Sequence, residues 1–428
     1  MNTRIGLLMV ALMAAGSAPV LAAKDTRKQV VKPPQAQAWI DVATFSGMTM
    51  PAMGGMGGMA SMMSGMFGGM TGHNAFGNTE TGTAGSWVDV TLYARDNPRL
   101  EEGIQTVPAG SKLAPELKLV SPKQKQSTPA PEDDQVVKED FEPPKGKIYL
   151  YWGCGDTVRP GQPKVLDMAK ASMTDYRSFF ANRRATQRGA HLAAGRPVWP
   201  NEQDARMVPQ GASLVGEHAF KAQGVPDGFK FAIGPAQDIM PAIELNQRET
   251  ATATMLEWQR LPAARAYFLS AMGGRGGGGG ENEMVFWTSS EVPEIGTGLM
   301  DYQTNPAVDN WLKEKVLLSP EVKTCAVPKG IFGEGAMLRM IAYGTELQLA
   351  HPARPTDPKI AWEPQWNAKV RVKSVTSAML GMTAARPERG DAAGRDYTSQ
   401  SSGGGANNPG SDGGIGQGLN KLKGLFGF

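Results

Sequence analysis

The chain has 428 residues, with 44 Lys and Arg against 41 Asp and Glu and a formal net charge of +3. This near balance excludes the strongly basic overall surface that favours binding to the nucleic-acid backbone, so no nucleic-acid partner is expected. One β-sandwich is shorter than this chain, and the length predicts two or three domains.

Residues 1–23 have the organisation of a cleaved secretory signal peptide. Arg4 gives a positive start, residues 5–15 are apolar, and residues 20–23 (Val-Leu-Ala-Ala) supply a cleavage site. The mature protein is therefore expected in the periplasm, in the secreted fraction or at the cell surface.

The chain has only two cysteines, Cys154 and Cys325. In an oxidising compartment an even pair is most simply one disulfide, and we predict this bond. Two free buried thiols are the alternative interpretation.

Residues 24–84 are predicted to form a low-complexity arm rich in methionine and glycine. Its centre, residues 48–73, is called the Met tract below. One interpretation of the tract is a flexible segment, because so much glycine disfavours a stable helix. A second is a Cu(I) site, since thioethers select this ion. The candidate ligands are Met50, Met53, Met56, Met59, Met63, Met66, Met70 and His73. A third interpretation uses the methionine stripe for contact with a membrane or with another copy.

Residues 85–155 are predicted to form a first β module with a proline-rich loop at 121–147. The alternation over 87–93 predicts a strand with Val88, Val90 and Leu92 facing inward. Residues 147–154 predict another strand.

The end of that second strand is similar to a segment much later in the chain. Residues 150–156 and 285–291 both read aliphatic, aromatic, Trp, three small residues, acid. The similarity indicates either a degenerate internal repeat or chance resemblance between two strand ends.

Residues 156–224 are predicted to be an irregular, partly helical, basic connection. Arginines run from Arg177 to Arg196 with no acid between Asp175 and Glu202. One interpretation is an anion-binding patch for envelope phosphates. Its candidate residues are Arg177, Arg183, Arg184 and Arg188. The alternative is an ordinary solvated helix or loop face.

Residues 225–382 are predicted to be a β-sandwich region. Strands are expected at 229–233, 336–349 and 369–379, and three consecutive antiparallel strands within 255–291. A short helix within 305–318 is expected to take Asn305 as its cap. In the last strand Arg371 and Lys373 alternate with valines, which predicts a sheet with one face in water.

A loose resemblance supports this fold class. Leu256-x-Trp258, a short proline-containing turn and Tyr267 resemble the early strands of a fibronectin type III-like or immunoglobulin-like sandwich. The resemblance covers about residues 255–291 and implies a sandwich without any site residues.

The expected fold is therefore mainly β, with two or three antiparallel β-sandwich-like modules and disordered Gly/Met-rich and Gly/Ser-rich flanking segments. Residues 383–428 are predicted to be a flexible tail. Its last part, 415–428, is amphipathic and is a candidate for contact with a membrane surface.

The sequence favours a non-enzymatic binding or structural protein of the cell envelope. The expected partner is an envelope protein or a cell-wall or lipid component. The four histidines lie far apart, without metal-binding or nucleophile motifs around them. One alternative is a periplasmic Cu(I)-binding protein that uses the Met tract. The other is a hydrolase of envelope polymers, with Asp156, Glu217 and His218 as candidate pocket residues.

Overall fold

The computed structural model describes residues 29–47, 74–81, 83–123, 146–275, 283–333 and 335–381, and strands dominate this part of the chain. The strands are β1 (Ala36–Gly47), β2 (Gly85–Ala94), β3 (Glu102–Thr106), β4 (Glu116–Val120), β5 (Lys147–Trp152), β6 (Lys164–Asp167), β7 (Val198–Trp199), β8 (Gly216–Lys221), β9 (Lys230–Ile233), β10 (Leu245–Glu249), β11 (Ala253–Trp258), β12 (Ala266–Gly274), β13 (Glu283–Thr288), β14 (Thr324–Pro328), β15 (Ala336–Tyr343), β16 (Leu347–His351) and β17 (Trp366–Leu380). The α-helices are α1 (Asn78–Thr81), α2 (Met173–Phe179) and α3 (Asn305–Lys313). Short 3-10 turns occupy Ala109–Ser111, Pro235–Gln237 and Thr297–Leu299.

The mainly β character predicted from the sequence is confirmed, but the strands form a large mixed sheet. Its order is β6-β5-β13-β12-β15-β17-β1-β2-β7-β4-β3-β8-β9, and β16 also pairs with β17. A second sheet has the order β10-β11-β14. The pairs β1/β17 and β5/β13 are parallel, which differs from the antiparallel arrangement that was expected.

One hydrophobic cluster joins these strands. It contains the inward faces of β1, β2 and β17 together with residues of β8, β9, β11 and β14. The curled end of the large sheet packs back on its centre, where Phe229 stacks on Trp366 with ring centroids 4.8 Å apart. The second sheet packs on the same cluster, with Trp258 edge-on to Tyr267 at 5.6 Å. The segments predicted as separate modules thus share this core.

The strands β11 and β12, which carry the sandwich resemblance, lie in different sheets. Only β12 and β13 form the antiparallel hairpin predicted within 255–291. The two similar segments at 150–156 and 285–291 belong to neighbouring parallel strands, with Leu150 opposite Phe286.

Helices and loops cover the opposite face of the large sheet. The α3 residues Val308 and Trp311 pack with Trp87 and Phe268. Pro306 lies in the first turn of α3, as predicted, but the cap residue is Thr304. Asn305 instead exchanges hydrogen bonds with the backbone of Glu346.

Residues 24–84 contain more structure than their composition indicated. Strand β1 lies inside this range and pairs with β2, with Phe45 opposite Gly85. The Met tract therefore connects two central strands rather than preceding the fold. The signal peptide, the Met tract with its candidate ligands and the tail 383–428 lie outside the described residues. Within the described ranges, no helix is both long enough and apolar enough to span a bilayer.

The predicted disulfide is confirmed. Cys154 and Cys325 are joined, with their Cα atoms 5.0 Å apart. Cys154 follows β5 in the large sheet, and Cys325 lies in β14 of the second sheet. The bond therefore ties the two sheets together beside a backbone hydrogen bond from Gly155 to Ala326.

Candidate functional site

The central strands carry a row of charged side chains on the face opposite the main core. Strand register places Asp41 directly beside both Asp89 of β2 and Arg371 of β17. Alternation sends their neighbours Ile40, Val90 and Val370 into the core and these three to the other face. All three are buried, and we call them the ionic row.

Arg371 and Asp41 form a two-point ion pair. The Nε and Nη2 atoms of Arg371 each donate to one Asp41 carboxylate oxygen at 2.6 Å. The remaining Arg371 nitrogen, Nη1, donates to Oγ1 of Thr186 and to the carbonyl oxygen of Gln187. The backbone N–H of Ala190 donates to Asp41 Oδ2 at 2.9 Å. The loop 185–190 thus closes over the pair.

Glycine is required in that loop. A Cβ atom on Gly189 would lie 2.0 Å from Nη2 of Arg371. Only a residue without a side chain allows the loop backbone to approach the guanidinium so closely.

Tyr302, Lys373 and Asp301 extend the charged network. The Arg371 guanidinium and the Lys373 ammonium lie over the Tyr302 ring, 4.3 and 4.2 Å from its centroid. The Tyr302 hydroxyl donates to the carbonyl of Val42 at 3.0 Å. Lys373 donates to Asp301 at 2.8 Å. Cation–π contacts and hydrogen bonds thus satisfy the buried Tyr302 and Lys373 together.

Among the described residues, Asp89 has no cation as a hydrogen-bond partner. It accepts from the backbone N–H groups of Gly77 and Thr79 and from the Thr79 hydroxyl. It thereby holds α1, which follows the Met tract. Burial raises the pKa of Asp89 to about 7, although the hydrogen bonds from Thr79 and Gly77 lower it. Asp89 is therefore an acid that titrates near neutral pH.

Arg371 and Asp301 are held in their ionised forms. Burial would lower the pKa of Arg371, but Asp41 raises it above its ordinary value. Burial would raise the pKa of Asp301, but Lys373 lowers it to about 2. The Asp301 side chain remains 41% exposed, so solvent weakens this pair relative to Asp41–Arg371.

Next to the ionic row, the chain from Gln187 to Arg196 places basic and aromatic groups together. The Arg196 guanidinium lies over Tyr93 at 4.3 Å and over Trp39 at 5.3 Å. The His191 ring lies 5.1 Å from Trp39. The Lys369 ammonium donates to Gln187 Oε1 at 2.8 Å, which fixes the start of this segment.

The arginines predicted as an anion patch are not all equivalent. Arg183 donates to the buried Glu294 at 2.8 Å and also pairs with Glu314. Its charge is therefore used inside the fold. Arg177, Arg184 and Arg188 are exposed, and Arg188 lies in the loop that covers the ionic row.

The residues considered for hydrolysis do not converge. His218 is fully buried, donates from Nε2 to the carbonyl of Leu214, has Nδ1 3.1 Å from the Gln105 amide nitrogen, and stacks on Phe231. Glu217 pairs on the surface with Lys230. Asp156 is exposed beside the disulfide. Among the residues that the structure describes, no three histidine, cysteine or carboxylate side chains form a metal-binding group.

A shallow groove of about 400 Å³ lies on the outer surface of β3, β4 and β8. Ile104, which is 39% exposed, lies in it. Lys118 and Glu102 pair across it at 2.7 Å. We call this feature the β3–β4–β8 groove.

No protein-family model, curated protein or solved structure matches the chain.

The ionic row was missed by the sequence analysis, which expected Arg371 and Lys373 to face water. The sequence does contain a pattern that indicates the buried position of these charges. Asp41, Asp89 and Arg371 are each flanked on both sides by apolar or aromatic residues in long alternating segments. Charges of opposite sign within such segments are candidates for pairing across strands.

Proposed function

We propose that this protein is an exported, envelope-associated protein that acts by binding or as a structural component, not as an enzyme. The ionic row carries the proposal. Its charges bond to one another and to backbone groups under a covering loop, which favours one fixed arrangement of the central strands. Charges used in this way support a rigid scaffold better than a reactive cleft.

The disulfide supports the exported location. Structural disulfides persist in oxidising compartments and are rare in the cytosol. Cys154 and Cys325 join the two sheets of the fold, so the bond belongs to the folded protein. This agrees with the signal-peptide pattern of residues 1–23.

The β3–β4–β8 groove is the proposed contact surface for an envelope protein or a cell-wall or lipid component. It combines an exposed aliphatic side chain, Ile104, with charges of both signs around it. That mixture is typical of the rim and core of a protein interface. The amphipathic tail and the Met tract are further proposed membrane contacts.

Fractionation and co-sedimentation test the proposal. The full chain, expressed in a bacterial host, is expected in the processed, envelope-associated fraction with its cysteines oxidised. The purified protein is expected to sediment with peptidoglycan or with envelope vesicles. Ile104→Glu places a charge in the groove and is expected to weaken co-sedimentation. Ile360→Glu is the matched control, since Ile360 is 53% exposed at another surface.

Two outcomes would overturn the proposal. One is an unprocessed protein that stays in the cytoplasm with free thiols. The other is turnover of purified envelope polymer that is lost in Glu217→Gln or His218→Gln variants that still fold, which would establish the hydrolase alternative.

Cu(I) binding by the Met tract is a second candidate function. The observation that favours it is the spacing of the methionines in a segment whose two ends are fixed to the fold. Gly47 ends β1 against Ser377, and Asn74 bonds to the backbone of Ala205 and Arg206. An anaerobic Cu(I) competition titration against a deletion of residues 48–73 tests it. Tight Cu(I) binding that disappears when the tract is deleted supports copper handling. Cu(I) binding that is unchanged by the deletion excludes the tract as the binding site.

A further inference from the structure

The charged and aromatic groups beside the ionic row form an unused cationic site. We call Trp39, Tyr93, Arg188, His191 and Arg196 the Arg196 site. Trp39 and Tyr93 project from neighbouring strands β1 and β2 on the same face. Both rings contact the Arg196 guanidinium, which fixes its plane against the sheet. Ring contacts orient a guanidinium without neutralising it.

Arg196 lacks a counter-charge. No described residue accepts a hydrogen bond from its side chain, and its Nη1 atom is buried without a partner. The side chain of Arg188 likewise forms no ion pair with the described residues. Two further buried polar atoms, Thr91 Oγ1 and Asn367 Oδ1, have no hydrogen-bond partner among the described residues. Thr91 lies on β2 opposite Trp39, and Asn367 lies on β17 opposite Gln37. Arg196 itself is half-buried, but a buried N–H group such as its Nη1 is costly to leave without an acceptor unless a ligand or water supplies one.

The carboxylates near the site already bond to other residues. Asp41 is bonded to Arg371, and Glu363 is bonded to Arg95 and Lys32. Glu346 accepts a hydrogen bond from Gln348 and interacts electrostatically with Lys369. Among the described residues, no carboxylate is therefore paired with Arg188 or Arg196.

The positive charges of this site affect the pKa of His191. Burial lowers the pKa of His191. The hydrogen bond to Gly189 raises it, whereas the charges of Arg196 and Arg188 lower it. Burial lowers the pKa of Arg196 as well, and Arg188 adds to this against a raising effect of Tyr93. These groups repel one another, and an anion placed among them would relieve the repulsion.

We propose that the Arg196 site binds a tetrahedral oxyanion, a phosphate or sulfate group, through Arg196, Arg188 and His191. A guanidinium presents a planar fork of N–H donors that matches two oxygens of such a group. Arg188, on the exposed loop, supplies further donors. The Nδ1–H group of His191 already donates to the Gly189 carbonyl at 2.9 Å, so the ring adds an Nε2–H donor in its imidazolium form. The inference goes beyond the proposed function, since it concerns ligand chemistry at a surface separate from the β3–β4–β8 groove.

The test is an NMR titration of the full chain labelled at the histidine rings, with the His191 signal assigned through His191→Gln. Inorganic phosphate, sulfate and glycerol phosphate are the probes. Binding is expected to shift the His191 signal saturably and to raise its pKa, because a bound anion stabilises the imidazolium. The His351 signal, from a ring stacked on Trp366, serves as the internal reference.

Variants locate the site. Arg196→Gln is expected to weaken phosphate binding by about tenfold or more. Arg188→Gln changes an exposed residue, so it tests the site even where Arg196→Gln does not fold. Arg177→Gln, on exposed α2, is the matched control and is expected to bind like the unmodified protein.

The outcomes separate the possible sources of the anion. Tighter binding of glycerol phosphate than of inorganic phosphate identifies an esterified ligand, whereas equal binding identifies the free ion. The proposal is overturned if none of the three probes shifts the His191 signal, or if the Arg177 and Arg188 variants lose phosphate affinity to the same extent. Neither result depends on envelope association, so failure here is distinct from failure of the proposed function.

Discussion

Asp41 and Asp89 face each other directly across β1 and β2, and each is only 2% exposed. Their partners differ. Asp41 forms a two-point ion pair with Arg371, whereas the donors that Asp89 has among the described residues are the neutral groups of Gly77 and Thr79. Two like charges opposite one another in a sheet repel. Burial raises the pKa of Asp89 to about 7, and protonation of Asp89 removes this repulsion.

The first prediction concerns pH. Burial raises the pKa of Asp89 from 3.8 to about 7, so the native state binds its proton more tightly than the unfolded chain does. The resulting stabilisation is fully present below about pH 4 and is lost as pH rises through about 7, to a total of about 4 kcal/mol. Asp89→Asn mimics the neutral acid and should remove this part of the pH dependence.

Urea unfolding of both proteins at about pH 5 and about pH 8 measures the effect. The informative quantity is the difference between the two profiles, because other groups titrate in both proteins. Asp96→Asn, at an exposed aspartate, should leave the profile unchanged. Parallel profiles for the Asp89 variant and the unmodified protein would show that Asp89 is ionised throughout.

The second prediction concerns the ion pair of the row. Asp41→Leu or Arg371→Met alone leaves a buried unpaired charge, so each substitution should lower the free energy of unfolding by about 3–5 kcal/mol. The double variant should lose much less free energy of unfolding than the sum of the two single losses, because neither charge of the pair is then left unpaired. Unfolding free energies of the four proteins form a double-mutant cycle that gives the coupling.

The exposed pair Arg248–Glu257 offers the matched comparison, with side chains 61% and 44% exposed. Its coupling should lie between about 0 and 1 kcal/mol. A coupling for Asp41–Arg371 that is no larger than this value would mean that the ionic row does not lock the strands.

Much of the strand content could be predicted because alternation is a local property of the sequence. The segments that became β2, β5, β15 and β17 all showed it. Strand β1 also alternates, with Ala38, Ile40 and Val42 inward, but it was grouped with the methionine-rich residues that follow it. Composition averaged over a long window concealed a short strand.

The burial of Arg371 and Lys373 could not be predicted in the same way. Their alternation with valine is typical of a strand with one wet face, and the groups that cover them come from elsewhere. Thr186 and Gln187 contact Arg371 from 185 and 184 residues away, and Asp301 reaches Lys373 from 72 residues away. Only tertiary structure brings these partners together.

The candidate sites show the same limit. The acid-free run of arginines was visible in the sequence, but Glu294 and Glu314 approach Arg183 only in the fold. Conversely, the arrangement of Arg196 between Trp39 and Tyr93 joins three segments that are distant in sequence. Spacing along the chain carried no information about either contact.

The third prediction concerns Gly189. A Cβ atom there would lie 2.0 Å from Nη2 and 2.3 Å from Cζ of Arg371, which is held by Asp41 and cannot move aside. Gly189→Ala should therefore lower the free energy of unfolding by about 1–3 kcal/mol. Gly234→Ala is the control, because the nearest atom to its Cβ would be 3.6 Å away.

The cause can be separated from a general loop effect. In the Arg371→Met background the obstructing guanidinium is gone, and the alanine should cost clearly less than it does in the unmodified protein. An equal cost in both backgrounds would place the strain elsewhere in the loop.

The fourth prediction concerns the disulfide. Cys154 and Cys325 are separated by 171 residues, so the bond restricts a long loop of the unfolded chain. The chain-entropy model gives a stabilisation of about 5 kcal/mol as an upper value, and measured effects typically lie at about 2–4 kcal/mol. The Cys154→Ala/Cys325→Ala double variant should lose stability within this range in urea unfolding. Reduction of the unmodified protein should give the same loss, with no further loss when reductant is added to the variant. If the reduced and oxidised proteins unfold at the same urea concentration, the contacts between β14 and the chain after β5 hold the two sheets together without the covalent bond.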